Sequence, residues 1–339
     1  MMKISIAMCT YNGERYLQDQ LNSILSQARI PDELVVVDDC STDHTIDILN
    51  QFANKLLSFP ILIYKNKNNL GSTKNFERAI NLCNGDIIVL SDQDDMWMPD
   101  KLTKIEKVFK ENQNVGYVFS NAEIVDKEMG PLGYTLWDAV DFTPKQFRQY
   151  QKGIQVKILF THNVVTGATM AFRTYFRNLT IPIPELWNHD YWIAFILSCV
   201  SKGFPISEQL IKYRQHTNQQ IGAKLNTKNK IHDSIRRYKT SNNRVNEFKK
   251  AIDYWTEPLA RLTNGIKTSY SGKKEFRRAV FLLNNKILHF KIRTEIHNSK
   301  KYSNIILIFL ELINGRYFLF SNGFKSAVAD LSILFNTEE

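Results

Sequence analysis

Through the first 110 or so residues, short and continuously apolar runs alternate with stretches whose apolar residues recur at helical spacing. Few folds accommodate that rhythm. A strand apolar at every position must be covered on both faces, and a helix following each strand supplies the cover, so the pattern calls for a mostly parallel sheet flanked by helices. Ile4 to Met8, Leu34 to Val37, Ile61 to Tyr64 and Ile87 to Leu90 are the predicted strands. Leu17, Leu21, Ile24 and Leu25 share one helix face after the first strand. A second helix, opened by Ser41 or Asp43 as cap, carries Ile46 and Leu49, and a third runs from about Lys74 to Leu82. Beyond residue 100 the rhythm loosens: Gly116 to Phe119 and Val164 to Phe172 read as strands, 130–155 as an irregular excursion, and Asp190 to Val200 as a helix. The expected organisation is an α/β domain over 1–222, in halves of about 1–110 and 111–222, followed by a basic, mainly helical region over 223–339.

Open parallel sheets bind ligands at the carboxyl ends of their strands. The loops there are Thr10-Tyr11-Asn12-Gly13-Glu14, Asp38-Asp39-Cys40-Ser41-Thr42-Asp43 and Ser91-Asp92-Gln93-Asp94-Asp95. Asp38 and Asp39 could do no more than cap a helix. Asp92, Asp94 and Asp95 are harder to account for, because carboxylates packed this closely repel unless a cation or hydrogen-bond donors offset them. A hard divalent ion, Mg²⁺ or Mn²⁺, takes one or two carboxylates plus phosphate oxygens and fits the cluster better than a solvated turn does. Trp97 and Pro99 should fix the turn beneath it, and Asp100 should open the next helix.

The whole chain carries 44 Lys and Arg against 34 Asp and Glu, a formal net charge of +10. That favours anionic partners: nucleic acid, a nucleotide, a phospholipid surface or a diphosphate-linked substrate. Nucleic acid is disfavoured by the lack of zinc spacing, a helix-turn-helix signal or an aromatic platform. Cys9, Cys40, Cys83 and Cys199 show no metal-ligand spacing, which points to a reducing cytoplasm. The N-terminal apolar run is broken by Thr10 and Asn12 and reads as a strand and not a secretory signal. Ile305 to Leu310 ends at Glu311, well short of the roughly 20 residues that span a bilayer.

The stretches "ISIAMCTYNGERYLQDQLNSILSQ", "DELVVVDDCSTDHT", "NLGSTKNFERAI" and "IIVLSDQDDMWMPDKL", in that order, resemble the nucleotide-sugar half of family-2 glycosyltransferases with the GT-A fold. "VVTGATMAF", "WNHDYWIAFIL" and "LIKYRQHTNQQIGA" extend the resemblance towards the branch that includes bacterial rhamnosyltransferases of surface polysaccharide assembly. The resemblance implies a nucleotide-sugar site in which Thr10, Tyr11 and Asn12 lie along the nucleotide and Asp39 accepts from the imide N–H of uracil or thymine. Gly71 and Asn75 would frame the nucleotide, Asp92 would face the ribose, and Asp94 would hold the Mn²⁺ or Mg²⁺ that bridges the phosphates. Asp95 is the branch's additional acid. Asp190, at the start of its helix, would be the base that activates the acceptor, with His189 beside it either orienting the acceptor or serving structure. His216 would be a metal ligand and Arg214 a diphosphate partner.

The implied reaction is inverting, metal-dependent transfer of a sugar from a UDP- or dTDP-linked donor to a hydroxyl of a growing glycan, borne on a polyprenyl diphosphate. Such an enzyme would work in the cytoplasm, at the inner face of the plasma membrane. Lys228, Lys230, Arg236, Arg237, Lys239, Lys249 and Lys250 could face that anionic surface or form an ordinary solvated helix face. Tyr302, Ile305, Ile306, Phe309, Leu310, Phe318, Leu319, Phe320 and Phe324 are expected to pack against the rest of the chain, with an amphipathic helix on a bilayer as the other reading. Two rival functions remain at this level, a nucleotide-sugar-binding module without turnover and a nucleotidyltransferase. An acceptor-side base argues against the first, and the poor phosphate loop at Thr10 to Gly13 against the second.

Overall fold

A computed structural model describes residues 2–55, 57–217, 241–265, 270, 273–299 and 301–335. The chain forms two compact units, Met1–Leu225 and Asn226–Glu339.

The first unit is built on a nine-stranded sheet: β1 (Ile4–Thr10), β2 (Glu33–Asp38), β3 (Ile61–Lys65), β4 (Ile87–Ser91), β5 (Met96–Trp97), β6 (Val115–Val125), β7 (Pro131–Thr135), β8 (Met170–Arg173) and β9 (Lys202–Arg214). Their order is β3-β2-β1-β4-β8-β6-β9-β5, with β7 on the flank of β6. Strands β1 to β4 are mutually parallel, as their continuous apolarity requires: Leu34, Val35, Val36 and Val37 are all fully buried. β8 runs antiparallel to β4 and β6, while β9 pairs parallel with β6 and antiparallel with the two-residue β5. Helices α1 (Leu17–Leu25), α2 (Thr45–Ala53) and α3 (Ser72–Leu82) follow strands of the parallel half, and α4 (Lys101–Glu111) follows β5. Then come α5 (Leu136–Ala139), α6 (Pro144–Gln151), α7 (Gln155–Leu159), α8 (Arg177–Thr180) and α9 (His189–Val200).

Register brings the polar loops together. Thr10 pairs with Asp38 and Met8 with Ser91, so β1, β2 and β4 end side by side and their loops leave from one edge.

Three local expectations need correction. The cap of α2 is His44, with neither Ser41 nor Asp43 in that position; Ser41 donates to Asp38 instead, while Asp43 accepts from the Thr45 amide at 3.0 Å. Val164 to Phe172 is a strand only from Met170, because Gly167–Thr169 forms a 3₁₀ turn whose Gly167 amide is drawn to Asp190. The 130–155 stretch is ordered into β7, α5 and α6. Two capping boxes, Thr135 with Asp138 and Thr143 with Gln146, the second with a proline in its first turn, start those helices.

In the second unit the described helices are Ser241–Gly265, Lys274–Ser299, Asn304–Ile313, Arg316–Phe320 and Phe324–Phe335. Of the basic residues singled out above, Lys249 and Lys250 are exposed; Lys228, Lys230, Arg236, Arg237 and Lys239 lie outside the described residues. The apolar residues expected to be packed are not: Tyr302, Ile305, Ile306, Phe309, Leu310, Phe318, Leu319 and Phe324 are exposed, and Phe320 is half-buried. Among the described residues no helix is long and apolar enough to cross a membrane.

Candidate functional site

The loops leaving the carboxyl edge are cross-braced by their own side chains. Asp38, fully buried, accepts from the Thr10 hydroxyl at 2.9 Å and from the Ser41 amide at 2.9 Å, locking the end of β1 to the turn after β2. Asn12, in the left-handed region at φ 47°, donates its amide to Ser41 and accepts from the Thr42 amide. Gln93 clamps Tyr11 through both backbone groups, accepting from its N–H at 2.8 Å and donating to its carbonyl at 3.0 Å. The Tyr11 side chain is left exposed at the rim, while the Thr10 side chain is committed to Asp38.

Asp39 is buried and receives the Asn66 side-chain amide at 2.6 Å, the Leu70 amide at 2.7 Å and the Gly71 amide at 2.8 Å. Gly71 holds φ 78°, a conformation glycine adopts without a Cβ penalty, and that bend turns its N–H onto Asp39 at the start of α3. A carboxylate offers about four lone-pair directions, so three donors leave one for a ligand. Asn75 is buried, donating to the Val37 carbonyl and accepting from Asn66; it holds the frame around Asp39 from inside the fold.

The acidic cluster sits on a buried lysine. Burial, reinforced by the charges of Asp94 and Asp190, pushes the Asp92 carboxyl up to about 7. Burial and the same crowding of charge push Asp95 well above the carboxylate range; one of its oxygens accepts from the Arg214 amide at 3.1 Å and the other has no partner. Lys101, fully buried in the first turn of α4, has its ammonium 3.6 Å from the Trp97 ring centre and donates to the Ala168 carbonyl at 2.8 Å. Its pKa falls to about 7 because burial outweighs the opposing pull of Asp95 and Asp92. Asp100 is the N-cap of α4 and pairs with Lys104.

Pairing of β5 with β9 carries the chain after Arg214 back over this cluster, and the His216 Nε2 lies 2.8 Å from the Asp94 Oδ2. Tyr16 supports both residues, its ring 4.8 Å from that of His216 and 4.4 Å from the Arg214 guanidinium. Arg214 was expected as a diphosphate partner. It is buried and donates to the carbonyls of Asp94 at 2.8 Å and Lys127 at 2.7 Å and to the Asp19 carboxylate at 2.8 Å, so it braces the cluster from within the fold.

These groups suit a divalent ion. A carboxylate and an imidazole converge, and the neighbouring Asp95 keeps an unpartnered buried oxygen, which a cation nearby would stabilise. Among the described residues no group of three or more His, Cys, Asp or Glu is arranged to hold a metal unaided. The remaining positions would fall to phosphate oxygens and water, as is usual for ions that act on nucleotides.

Across the site, Asp190 lies in the first turn of α9, one residue inside the helix, with Asn188 as the cap. Its Oδ2 accepts from the Gly167 amide at 3.0 Å and its Oδ1 from the Asn163 side chain at 3.3 Å. The His189 ring stacks on Phe76 at 4.0 Å, its Nε2 is buried without a partner, and burial lowers its pKa.

Sequence reasoning missed Tyr16, Gln93, Lys101, Asn163 and Gly167. Gln93 and Gly167 lie inside stretches already singled out, and Lys101 is one of four lysines on an amphipathic helix, so none of them stood out by residue type.

The sequence model of the family described as glycosyl transferase family 2 matches residues 5–179. A dTDP-rhamnosyl transferase, RfbG, of Shigella flexneri is 29% identical over 233 residues, 66% of this chain and 76% of that protein. Among solved structures, S. aureus TarS 1-349 in complex with UDP-GlcNAc aligns over 98% of this chain and 91% of its own, with a TM-score of 0.53 at 17% identity. The mannosyltransferase PcManGT from Pyrobaculum calidifontis, in complex with GDP-Man and Mn²⁺, aligns over 100% and 88%, with a TM-score of 0.50 at 15% identity. The two structures share the fold of this chain: a GT-A sheet with helices on it, followed by a helical C-terminal region.

Proposed function

The chain belongs to glycosyl transferase family 2 and is a glycosyltransferase, and from that premise we propose that it transfers a sugar with inversion from a UDP- or dTDP-linked donor to a hydroxyl of a bacterial surface glycan carried on a polyprenyl diphosphate. The observation that carries this reading is the Asp190 carboxylate, steadied by the Gly167 amide and Asn163 on the acceptor side and close enough to Asp92 for their charges to interact.

In the proposed step the acceptor oxygen attacks the anomeric carbon while Asp190 takes its proton. The bond from that carbon to the diphosphate breaks, and the nucleoside diphosphate leaves with the electron pair. One displacement inverts the centre, so no second catalytic carboxylate is needed. A positioned base of this kind contributes about 10²–10⁴-fold in rate. Asp39 offers its remaining lone pair to the base imide, Tyr11 flanks the base at the rim, and Asp92 faces the ribose. Asp94 and His216 would hold Mn²⁺ or Mg²⁺, which when bound neutralises the charge gathering on the departing diphosphate. An imidazole in the set suits Mg²⁺, a hard ion of oxygen ligands, less well, and Mn²⁺ is the ion present in the Pyrobaculum complex. An acceptor of this kind places the enzyme at the inner face of the plasma membrane.

The test is Asp190→Asn. Donor binding should stay within about threefold of wild type, while transfer falls by about 10²-fold or more; turnover close to wild type would remove Asp190 from the mechanism. The donor is identified by warming the protein with a panel of UDP- and dTDP-sugars in Mn²⁺, since a ligand bound only by the folded state raises its melting temperature.

A further inference from the structure

The C-terminal unit buries several charged groups alongside an apolar core of Ile296, Ile308, Tyr317, Ala327 and Leu334, and leaves other large apolar side chains outside. Asp330, fully buried, accepts from Arg293 at 2.6 and 2.8 Å and from the Tyr317 hydroxyl at 2.7 Å, with the His297 Nε2 at 2.9 Å. Glu311, also buried, meets the His289 Nδ1 at 2.6 Å and Arg316. Helix Asn304–Ile313 turns Asn304, Ile308 and Glu311 inward and leaves Ile306, Phe309 and Ile313 65%, 62% and 67% exposed. Ring contacts carry the apolar surface across its neighbours: exposed Tyr302 meets Phe335 at 5.7 Å, and exposed Phe318 meets Phe324 at 4.8 Å. In water this distribution is costly, and a contiguous apolar surface of this kind marks an interaction face.

Charge selects what covers it. Residues 226–339 hold 21 of the 44 Lys and Arg but 10 of the 34 Asp and Glu, a net +11, leaving the first 225 residues at −1. Exposed Lys301 and Lys325 adjoin Tyr302 and Phe324 in the chain. A second copy would bring one such cationic unit against another, whereas an anionic bilayer neutralises the charge and accepts the side chains together. Helices of 10, 5 and 12 residues are too short to cross a bilayer and suited to lying in its interface.

We propose that the outward face of helices Asn304–Ile313, Arg316–Phe320 and Phe324–Phe335 docks on an anionic phospholipid surface, its apolar side chains among the headgroups and its lysines against the lipid charge. This deepens the membrane-borne part of the proposed function. Binding to lipid is measured without donor or acceptor, so its failure and the failure of the transfer chemistry are told apart.

The experiment is co-sedimentation of the full chain with vesicles of phosphatidylcholine alone or with about 30 mol% phosphatidylglycerol. Binding to the anionic vesicles that weakens with salt is expected. Ile306→Ser/Phe309→Ser/Ile313→Ser should lower partitioning by roughly tenfold or more. Lys301→Glu/Lys325→Glu, which leaves the apolar face and the buried network untouched, should weaken binding to the anionic vesicles while its circular dichroism matches wild type. The proposal is overturned by absence of binding to anionic vesicles or by wild-type binding in both variants. It is equally overturned by a lipid-free dimer in sedimentation equilibrium that the triple serine variant dissolves.

Discussion

At the scale of single residues, the site depends on groups too plain to stand out in a sequence. Gly167 has no catalytic chemistry, yet a Cβ there would come within 2.7 Å of the His189 Nε2 and 3.6 Å of the Asp190 Cβ. Gly167→Ala should therefore shift the carboxylate its amide holds, lowering kcat by about tenfold or more with donor KM little changed; steady-state kinetics would show it, and an unchanged kcat would mean the amide does not position the base. Lys101 is the second case. Its charge pulls the carboxyls of Asp92 and Asp95 down, against burial and mutual repulsion that push them up. Without it, both acids lose their protons at higher pH, and a metal must compete with protons over a wider range. In Lys101→Met the pH at which Mn²⁺-dependent donor binding is half developed should move upward, measured by calorimetry across pH 5–9 or so; a midpoint that does not move would deny Lys101 this role. Asp94→Ala should abolish the metal dependence of donor binding, and a Mn²⁺ titration like that of wild type would exclude Asp94 as a ligand.

At the scale of elements, apolar runs made β1 to β4 readable, because β1, β2 and β4 are buried on both faces and the half-buried edge strand β3 is apolar from Ile61 to Tyr64. Periodicity failed at 130–155, where helices of four to eight residues give too few turns for a face to declare itself. Their signal was the caps. Thr143-Pro144-Lys145-Gln146 is a capping box with proline in the first turn, and Thr143→Ala should cost about 1 kcal/mol in urea unfolding. In the C-terminal helices the inward face mixes apolar residues, Ile308, Ala327 and Leu334, with the charged Glu311 and Asp330. Asp330 is held down to about 2, chiefly by hydrogen bonds from His297 and Arg293 working against burial. A lowered carboxyl pKa stabilises the fold above its unfolded value near 3.8, and that contribution is lost as pH falls towards 2. The stability gap between wild type and Asp330→Asn should thus narrow by about 2 kcal/mol between pH 5 and pH 2, read from denaturant midpoints. A gap independent of pH would mean the carboxylate is not the charged partner.

At the scale of the whole molecule, a nearly neutral first unit carries the proposed chemistry and a strongly basic second unit carries the proposed lipid contact. Removing divalent ions with EDTA should erase the thermal shift that a UDP- or dTDP-sugar produces and leave the melting of the unliganded chain in place, since no described side-chain cluster holds a metal by itself. The fold class, the carboxyl-edge loops and the acidic cluster were all present in the sequence, because the alternation of apolar residues states locally which faces are covered and where strands end. What lies against what was not. His216 meets Asp94 only because β9 pairs with β5, Arg214 becomes an internal brace through the same pairing, and Asp190 reaches Gly167 and Asn163 through the packing of α9. Several apolar residues from Tyr302 onward were expected to be packed, and tertiary structure left them exposed because Ile308, Tyr317, Ala327 and Leu334, with the paired Glu311 and Asp330, take the inward positions of those helices. Periodicity records the chemistry of a face over a few turns, whereas the identity of the surface that meets it is set by contacts between residues distant in the chain, 23 positions for Asp190 with Gly167 and 122 for His216 with Asp94, and those exist only once the chain has folded.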